Sequence, residues 1–171
     1  MKLSPEGPAH VLAELNRKIA TVYPDLELRC SGCCFDVIAD GEGAARIVYA
    51  NAAHPPLLRI SRGKVDEIYE RGTFLGVMSD APFTEIEAQL AVGDRLLAYT
   101  DGLYEQEDAN GKPFGMERMI ALLADYALDA EGIVQLLDTA LTSFCAGRAL
   151  ADDMLLVCIE CAGDRRSKID L

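Results

Sequence analysis

The chain has 171 residues, half of them apolar, and a formal charge of −12 at pH 7. That length and balance suit one packed globular domain and exclude disordered, fibrous and collagen-like classes. So negative a surface repels phosphate backbones and anionic lipid, so nucleic acid is not an expected partner. No apolar run approaches the roughly 20 residues of a membrane span, so a membrane is not expected either. The start, Met1-Lys2-Leu3-Ser4-Pro5, has no apolar stretch behind its lysine, and a cytoplasmic protein is expected.

In chain order, positions 8–23 read as a helix, because Val11, Leu12, Leu15, Ile19 and Val22 fall on one face at helical spacing. Ser4-Pro5 marks its start and Pro24-Asp25 its end. A long β region follows. Positions 26–39 are rich in β-favouring residues, Asp40-Gly41-Glu42-Gly43 is a turn, and 46–50 reads as the returning strand. Pro55-Pro56 breaks the pattern, and 57–61, Arg62-Gly63 and 64–69 read as a second hairpin. Positions 83–90 alternate, with Phe83, Glu85, Glu87 and Gln89 on one side and Thr84, Ile86, Ala88 and Leu90 on the other. Gly93-Asp94 is a tight turn into the apolar strand 95–100. Positions 116–126 and 131–144 carry helical apolar stripes, and Asp129 caps the second. Positions 154–159 read as a final buried strand, and the tail from Gly163 is polar. Strands segregated from helices argue an α+β fold with antiparallel sheets.

The six cysteines include two C-x-x-C spacings, Cys30 to Cys33 and Cys158 to Cys161. Zinc knuckles place such pairs in turns, whereas these fall in strand-like runs whose residues three apart face opposite ways. Reduced, mostly buried thiols are the expectation, with a zinc-binding regulatory domain as a distant alternative.

Two acidic positions stand out by context. Asp101 follows the strand Leu96-Leu97-Ala98-Tyr99-Thr100 and precedes Gly102, while Asp152-Asp153 precedes Met154-Leu155-Leu156-Val157. If those strands pair antiparallel, the carboxylates meet at one edge of a sheet. Converging carboxylates repel unless a cation or proton lies between them, and hard oxygen donors suit Mg²⁺ or Mn²⁺. Gly102 would admit a close backbone carbonyl or a substrate. The bland alternative is a turn Asp-Gly and a loop Asp-Asp, and the context alone leaves both open.

Several ordered motifs resemble the SpoIIE-type phosphatases, a bacterial branch of the PPM (PP2C-like) family. Ala50-Asn51-Ala52-Ala53-His54-Pro55-Pro56 resembles the family's "ANAGHPP" stretch, continued by Leu75-Gly76-Val77. Val92-Gly93-Asp94-Arg95 through Tyr99-Thr100-Asp101-Gly102 matches its "TDG" region. Gly111-Lys112-Pro113-Phe114-Gly115-Met116-Glu117-Arg118 resembles its "GE.FG.ERL" segment, and Asp152-Asp153 its "DD" motif. The resemblance runs from about position 4 to position 161.

It implies an α-β-β-α sandwich of two antiparallel sheets flanked by helices. It also implies hydrolysis of phosphoserine or phosphothreonine at a site of two Mn²⁺ or Mg²⁺ ions, where a metal-acidified water attacks phosphorus. Asp101 and Asp152 match the family's metal aspartates, Asp153 is expected to orient its neighbour, and Gly102 is a lesser candidate for the metal site. His54 and Tyr99 are expected to be structural. The implied substrate is a phosphorylated regulatory protein, such as a STAS-type anti-sigma-factor antagonist.

Three departures qualify the match. Ala53 stands where the family has Gly, read as a packing detail, and Leu155 stands where it has Thr. The family's two earlier metal motifs have no counterpart here, and Gly93-Asp94 is not the first of them. An N-terminally truncated phosphatase domain over 1–162 with a tail over 163–171 is therefore expected. A dimer or partner chain could complete its sheets. The alternative function is a phosphatase-like module that binds a signalling partner with little or no turnover.

Overall fold

The computed structural model describes residues 6–22, 29–41, 43–125 and 127–163, without the side chain of Asp125. The expected helix boundaries at Ser4-Pro5 and Pro24-Asp25, the start of the 26–39 strand, Glu42, Tyr126 and the tail beyond Gly163 lie outside the described residues. In chain order the elements are α1 (Pro8–Val22), β1 (Gly32–Ala39), β2 (Ala45–Ala52), β3 (Leu57–Ser61), β4 (Lys64–Ile68), β5 (Glu85–Leu90) and β6 (Arg95–Tyr99). A 3-10 turn at Asp101–Leu103, α2 (Met116–Asp125), α3 (Ala130–Cys145) and β7 (Leu156–Glu160) complete them. The strands form two antiparallel sheets, ordered β1-β2-β5 and β4-β3-β6-β7, each carried in its own compact unit with its own helices.

In the first unit β2 is the central strand and is buried almost throughout, as its apolar run ARIVYANA dictates. β5 lies at one edge, and its alternation of exposed and covered positions follows the predicted two-faced pattern. α1 rests on β1 and β2. Leu12, Cys34, Ala50, Ala52 and Leu75 form the buried cluster beneath it, with Val11 and Ile19 packed alongside. Burying Leu12 contributes about 2 kcal/mol. The apolar stripe misplaced part of this face. Leu15 and Val22 are 43% and 63% exposed, whereas Asn16 is fully buried between them. Asn16 is buried because its amide is consumed. Its Nδ2 donates to the carbonyls of Met78 and Ser79 at 2.7 and 3.2 Å, and its Oδ1 accepts from Gly76 N–H at 2.8 Å.

In the second unit the β3–β4 hairpin turns on Arg62-Gly63, both at positive φ (47° and 81°), the backbone of a type I′ turn. Leu58, Ile60, Leu97 and Tyr99 present one face of this sheet to Leu103, Met119, Leu123, Ile133, Leu137 and Leu141, all buried in one cluster. Asp129 caps α3 as expected, its side chain accepting from Gly132 N–H at 2.8 Å, and Ala146 ends the helix in a left-handed conformation. Tyr99 belongs to the core, 2% exposed, and burial pushes its phenol well above the ordinary range. The final strand differs from its expected fully buried form. β7 is an edge strand, so Leu155 just ahead of it and Val157 within it are 60% and 41% exposed. Apolar character alone does not separate a central strand from an edge strand packed on one face.

Candidate metal-binding edge of the second sheet

The antiparallel register of β6 and β7 aligns Leu97 with Cys158 and Tyr99 with Leu156. The end of β6 therefore lies beside the residues that lead into β7. Thr100 fastens the two segments. Its backbone N–H donates to Leu155 O at 3.1 Å, its Oγ1 accepts from Leu155 N–H at 3.0 Å, and the same hydroxyl donates to Asp153 O at 3.3 Å. Asp101 then opens the 3-10 turn, and its carbonyl accepts the N–H groups of Tyr104 and Glu105 at 3.0 Å each. The backbone thus brings the sequence-predicted Asp101 and Asp152-Asp153 to one sheet edge, with all three exposed.

Gly102 explains itself in this geometry. A Cβ built on it would stand 2.3 Å from Asp153 O, so a side chain there would push the Asp152-Asp153 segment away. The carbonyl it admits is one from the neighbouring loop. Its own N–H donates to Asp101 Oδ1 at 3.1 Å, and the N–H of Asp153 donates to Asp152 Oδ1 at 2.8 Å. Each carboxylate is thereby held by a local backbone donor while remaining open to solvent. Leu155, at the position where a hydroxyl residue was expected, contributes only its backbone, and Thr100 supplies the hydroxyl of this corner.

The local field is negative. Burial first, and then the charges of Glu105 and Asp101, raise the Tyr104 phenol above its ordinary value. Exposed hard-oxygen donors in a negative field fit one side of an Mg²⁺ or Mn²⁺ site by donor type. Among the described residues no group of three or more His, Cys, Asp or Glu converges to hold an ion. Asp101 and Asp152 thus stand exposed at one sheet edge, and among the described residues no third such side chain gathers beside them.

The remaining predicted positions have other surroundings. His54 lies in a turn organised by Asn51, a residue that the sequence reading passed over. Asn51 is 1% exposed; its Oδ1 accepts from His54 N–H at 2.9 Å, and its Nδ2 donates to His54 O at 3.1 Å and Glu70 O at 2.8 Å. Ala53, in the same turn, has φ 55°, a left-handed conformation that favours glycine. The departure at Ala53 is therefore one of backbone conformation, and the expected packing explanation is corrected. Phe114 is buried, and Arg118 stacks 4.4 Å over the centroid of Phe144 and 5.4 Å over that of Phe114, so this motif braces the helices. All six cysteines are free thiols, and burial pushes Cys33 and Cys158 up to about 11.

A family model described as Stage II sporulation protein E (SpoIIE) matches residues 1–162. Protein IcfG of Synechocystis sp. is 26% identical over 146 residues, which are 84% of this chain and 22% of IcfG. The SiaA-PP2C domain of Pseudomonas aeruginosa superposes with a TM-score of 0.72 at 20% identity, covering 90% of this chain and 60% of that one. The phosphatase domain of the cell fate determinant SpoIIE from Bacillus subtilis gives a TM-score of 0.63 at 16% identity, covering 95% and 76%. The chain thus spans 22% of IcfG and 60% of the SiaA-PP2C domain. No helix among the described residues is long and apolar enough to cross a membrane. With two antiparallel sheets, flanking helices and a family match over nearly its whole length, the chain belongs to the SpoIIE family and has a PP2C-like fold.

Proposed function

We propose that this chain, over residues 1–162, contributes to a metal-dependent protein serine/threonine phosphatase. Its substrate would be a phosphorylated regulatory protein, such as a STAS-type anti-sigma-factor antagonist. The supporting observation is the β6–β7 register, which sets Asp101 and Asp152 on one exposed edge. A cluster of carboxylates repels a phosphate dianion, so phosphate chemistry here requires a cation between them. A bound Mn²⁺ or Mg²⁺ pair would supply charge neutralisation and an acidified water. Asp101 and Asp152 offer the oxygens. The Asp153 N–H holds the Asp152 carboxylate, Gly102 lets the two segments approach, and Thr100 ties them together. The outer edge of β7 is where a further strand, from a partner or from more of the polypeptide, would pair.

The alternative is a phosphatase-like module that binds a signalling partner without turnover. Hydrolysis of a phosphoserine peptide by the chain with Mn²⁺ separates the two. Turnover that Asp101→Asn abolishes supports the phosphatase. A chain that neither binds Mn²⁺ by calorimetry nor hydrolyses the peptide leaves the binding module.

A further inference from the structure

Gln106 is a buried polar residue, 2% exposed, five positions beyond Asp101. Its backbone is locked, since Gln106 O accepts from Phe114 N–H at 2.7 Å. Its side chain leaves the 104–115 segment and reaches the residues ahead of β7. There Oε1 accepts from Ala151 N–H at 2.8 Å, and Nε2 donates to Asp152 O at 3.5 Å. The same two segments are joined again where Arg148 Nη1 donates to Asp108 O at 2.6 Å.

Thr100 holds only the downstream side of the aspartate pair, at Asp153 O and Leu155 N–H. Residues 150–153 are exposed and outside any regular element. The Arg148–Asp108 bond lies three positions upstream of Ala151, whereas the Gln106 side chain bonds Ala151 and Asp152 themselves. The Gln106 amide anchors that segment from within the core, where a buried amide has no water to compete for its bonds.

We propose that Gln106 is a positioning residue, whose side-chain amide fixes the Ala151-Asp152 backbone so that the Asp152 carboxylate stands ready for a cation shared with Asp101. The proposal rests on the reading of Asp101 and Asp152 as cation ligands. It adds a residue outside the aspartate motifs whose reach is 45 positions along the chain.

The test uses the full chain and Mn²⁺ alone. Gln106→Met keeps the side-chain volume and removes both hydrogen bonds. By calorimetry it should weaken Mn²⁺ binding about tenfold, the usual scale for losing a group that orients a metal ligand. By hydrogen exchange it should speed exchange of the Ala151 amide while leaving Leu97 and Tyr99 protected. Gln106→Glu keeps an oxygen to accept the Ala151 N–H and should restore that protection. Should Gln106→Met not fold, Gln106→Asn, one methylene too short to reach Ala151, is expected to give the same two changes. Mn²⁺ affinity or Ala151 exchange unchanged from the wild type, in a wild type that binds Mn²⁺ through Asp152, overturns the positioning role alone. A wild-type chain that takes up no Mn²⁺ overturns the cation reading of Asp101 and Asp152, and the role of Gln106 with it.

Discussion

Each unit uses buried side-chain amides to hold backbone, Asn16 and Asn51 in the first and Gln106 in the second, and the two uses differ. The side-chain amides of Asn51 and Asn16 close onto backbone, at His54, Glu70, Gly76, Met78 and Ser79. At the β6–β7 edge, Thr100 and Gln106 also hold backbone, but the segments they hold end in exposed carboxylates. The first corner spends its polar groups on its own shape. The second keeps the buried Gln106 and the half-buried Thr100 behind and leaves charged oxygens facing outward. A polar residue with all its bonds closed inside the chain stabilises the fold; a charged one braced from behind and left open is available to a ligand.

This contrast can be broken at either corner. The largest stability effect is expected from Asn51→Ala, which removes the partners of half-buried backbone groups on His54 and Glu70 and empties a buried site. It should cost about 3 kcal/mol, read from the urea midpoint at constant slope. Asp101→Asn should behave in the opposite manner. Phosphopeptide turnover with Mn²⁺ should fall on the order of a hundredfold or more, while unfolding stability changes by less than about 0.5 kcal/mol, as for an exposed site. Gly102→Ala tests the close approach of the two segments. The added methyl would meet Asp153 O, so a loss of about 2 kcal/mol is expected in denaturant unfolding. Asp129→Ala removes the α3 cap and should cost about 1 kcal/mol by the same measurement. Smallest and of opposite sign, Ala53→Gly relieves a left-handed alanine and should stabilise by about 0.5 kcal/mol, less than the full strain because glycine also loosens the unfolded chain.

The buried thiols add a pH test with a defined sign. Cys33 and Cys158 are raised from an ordinary value of 9 to about 11, chiefly by burial, so the folded state favours the neutral thiols. Their contribution is fully present below pH 9. It is lost as pH rises toward 11, because the unfolded chain ionises first. Unfolding midpoints should therefore fall across that window, and Cys33→Ser with Cys158→Ser should flatten the decline. A decline of equal slope in the double variant would assign the effect to other groups.

Much of the architecture was legible because it rests on local rules. The strand alternation of β5, the Arg62-Gly63 hairpin, the Asp129 cap and the two late helices are set by side-chain period and by residues within a few positions of each other. The family motifs also directed attention to Asp101 and Asp152. The residues that escaped were the buried amides. Asn16 meets its partners more than 60 positions away, and Gln106 its partner 45 positions away. Nothing in the local pattern of an isolated Asn or Gln announces such a partner. The helical stripe placed Leu15 and Val22 inside for the same reason: it registers hydrophobicity, not whether a polar side chain has bonds waiting for it.

By itself the sequence determined the α+β class, most of the elements and the family, because these follow from local periodicity and motif order, and its motifs pointed to two aspartates. Only the tertiary structure decided that those aspartates share one edge, that Gly102 is there to admit Asp153 O, that Ala53 is strained in its backbone, and that Thr100 and Gln106 hold the Asp152 segment from its two sides. Those facts depend on which strands pair and which distant backbone groups a buried amide meets, and pairing between remote segments is a property of the folded chain.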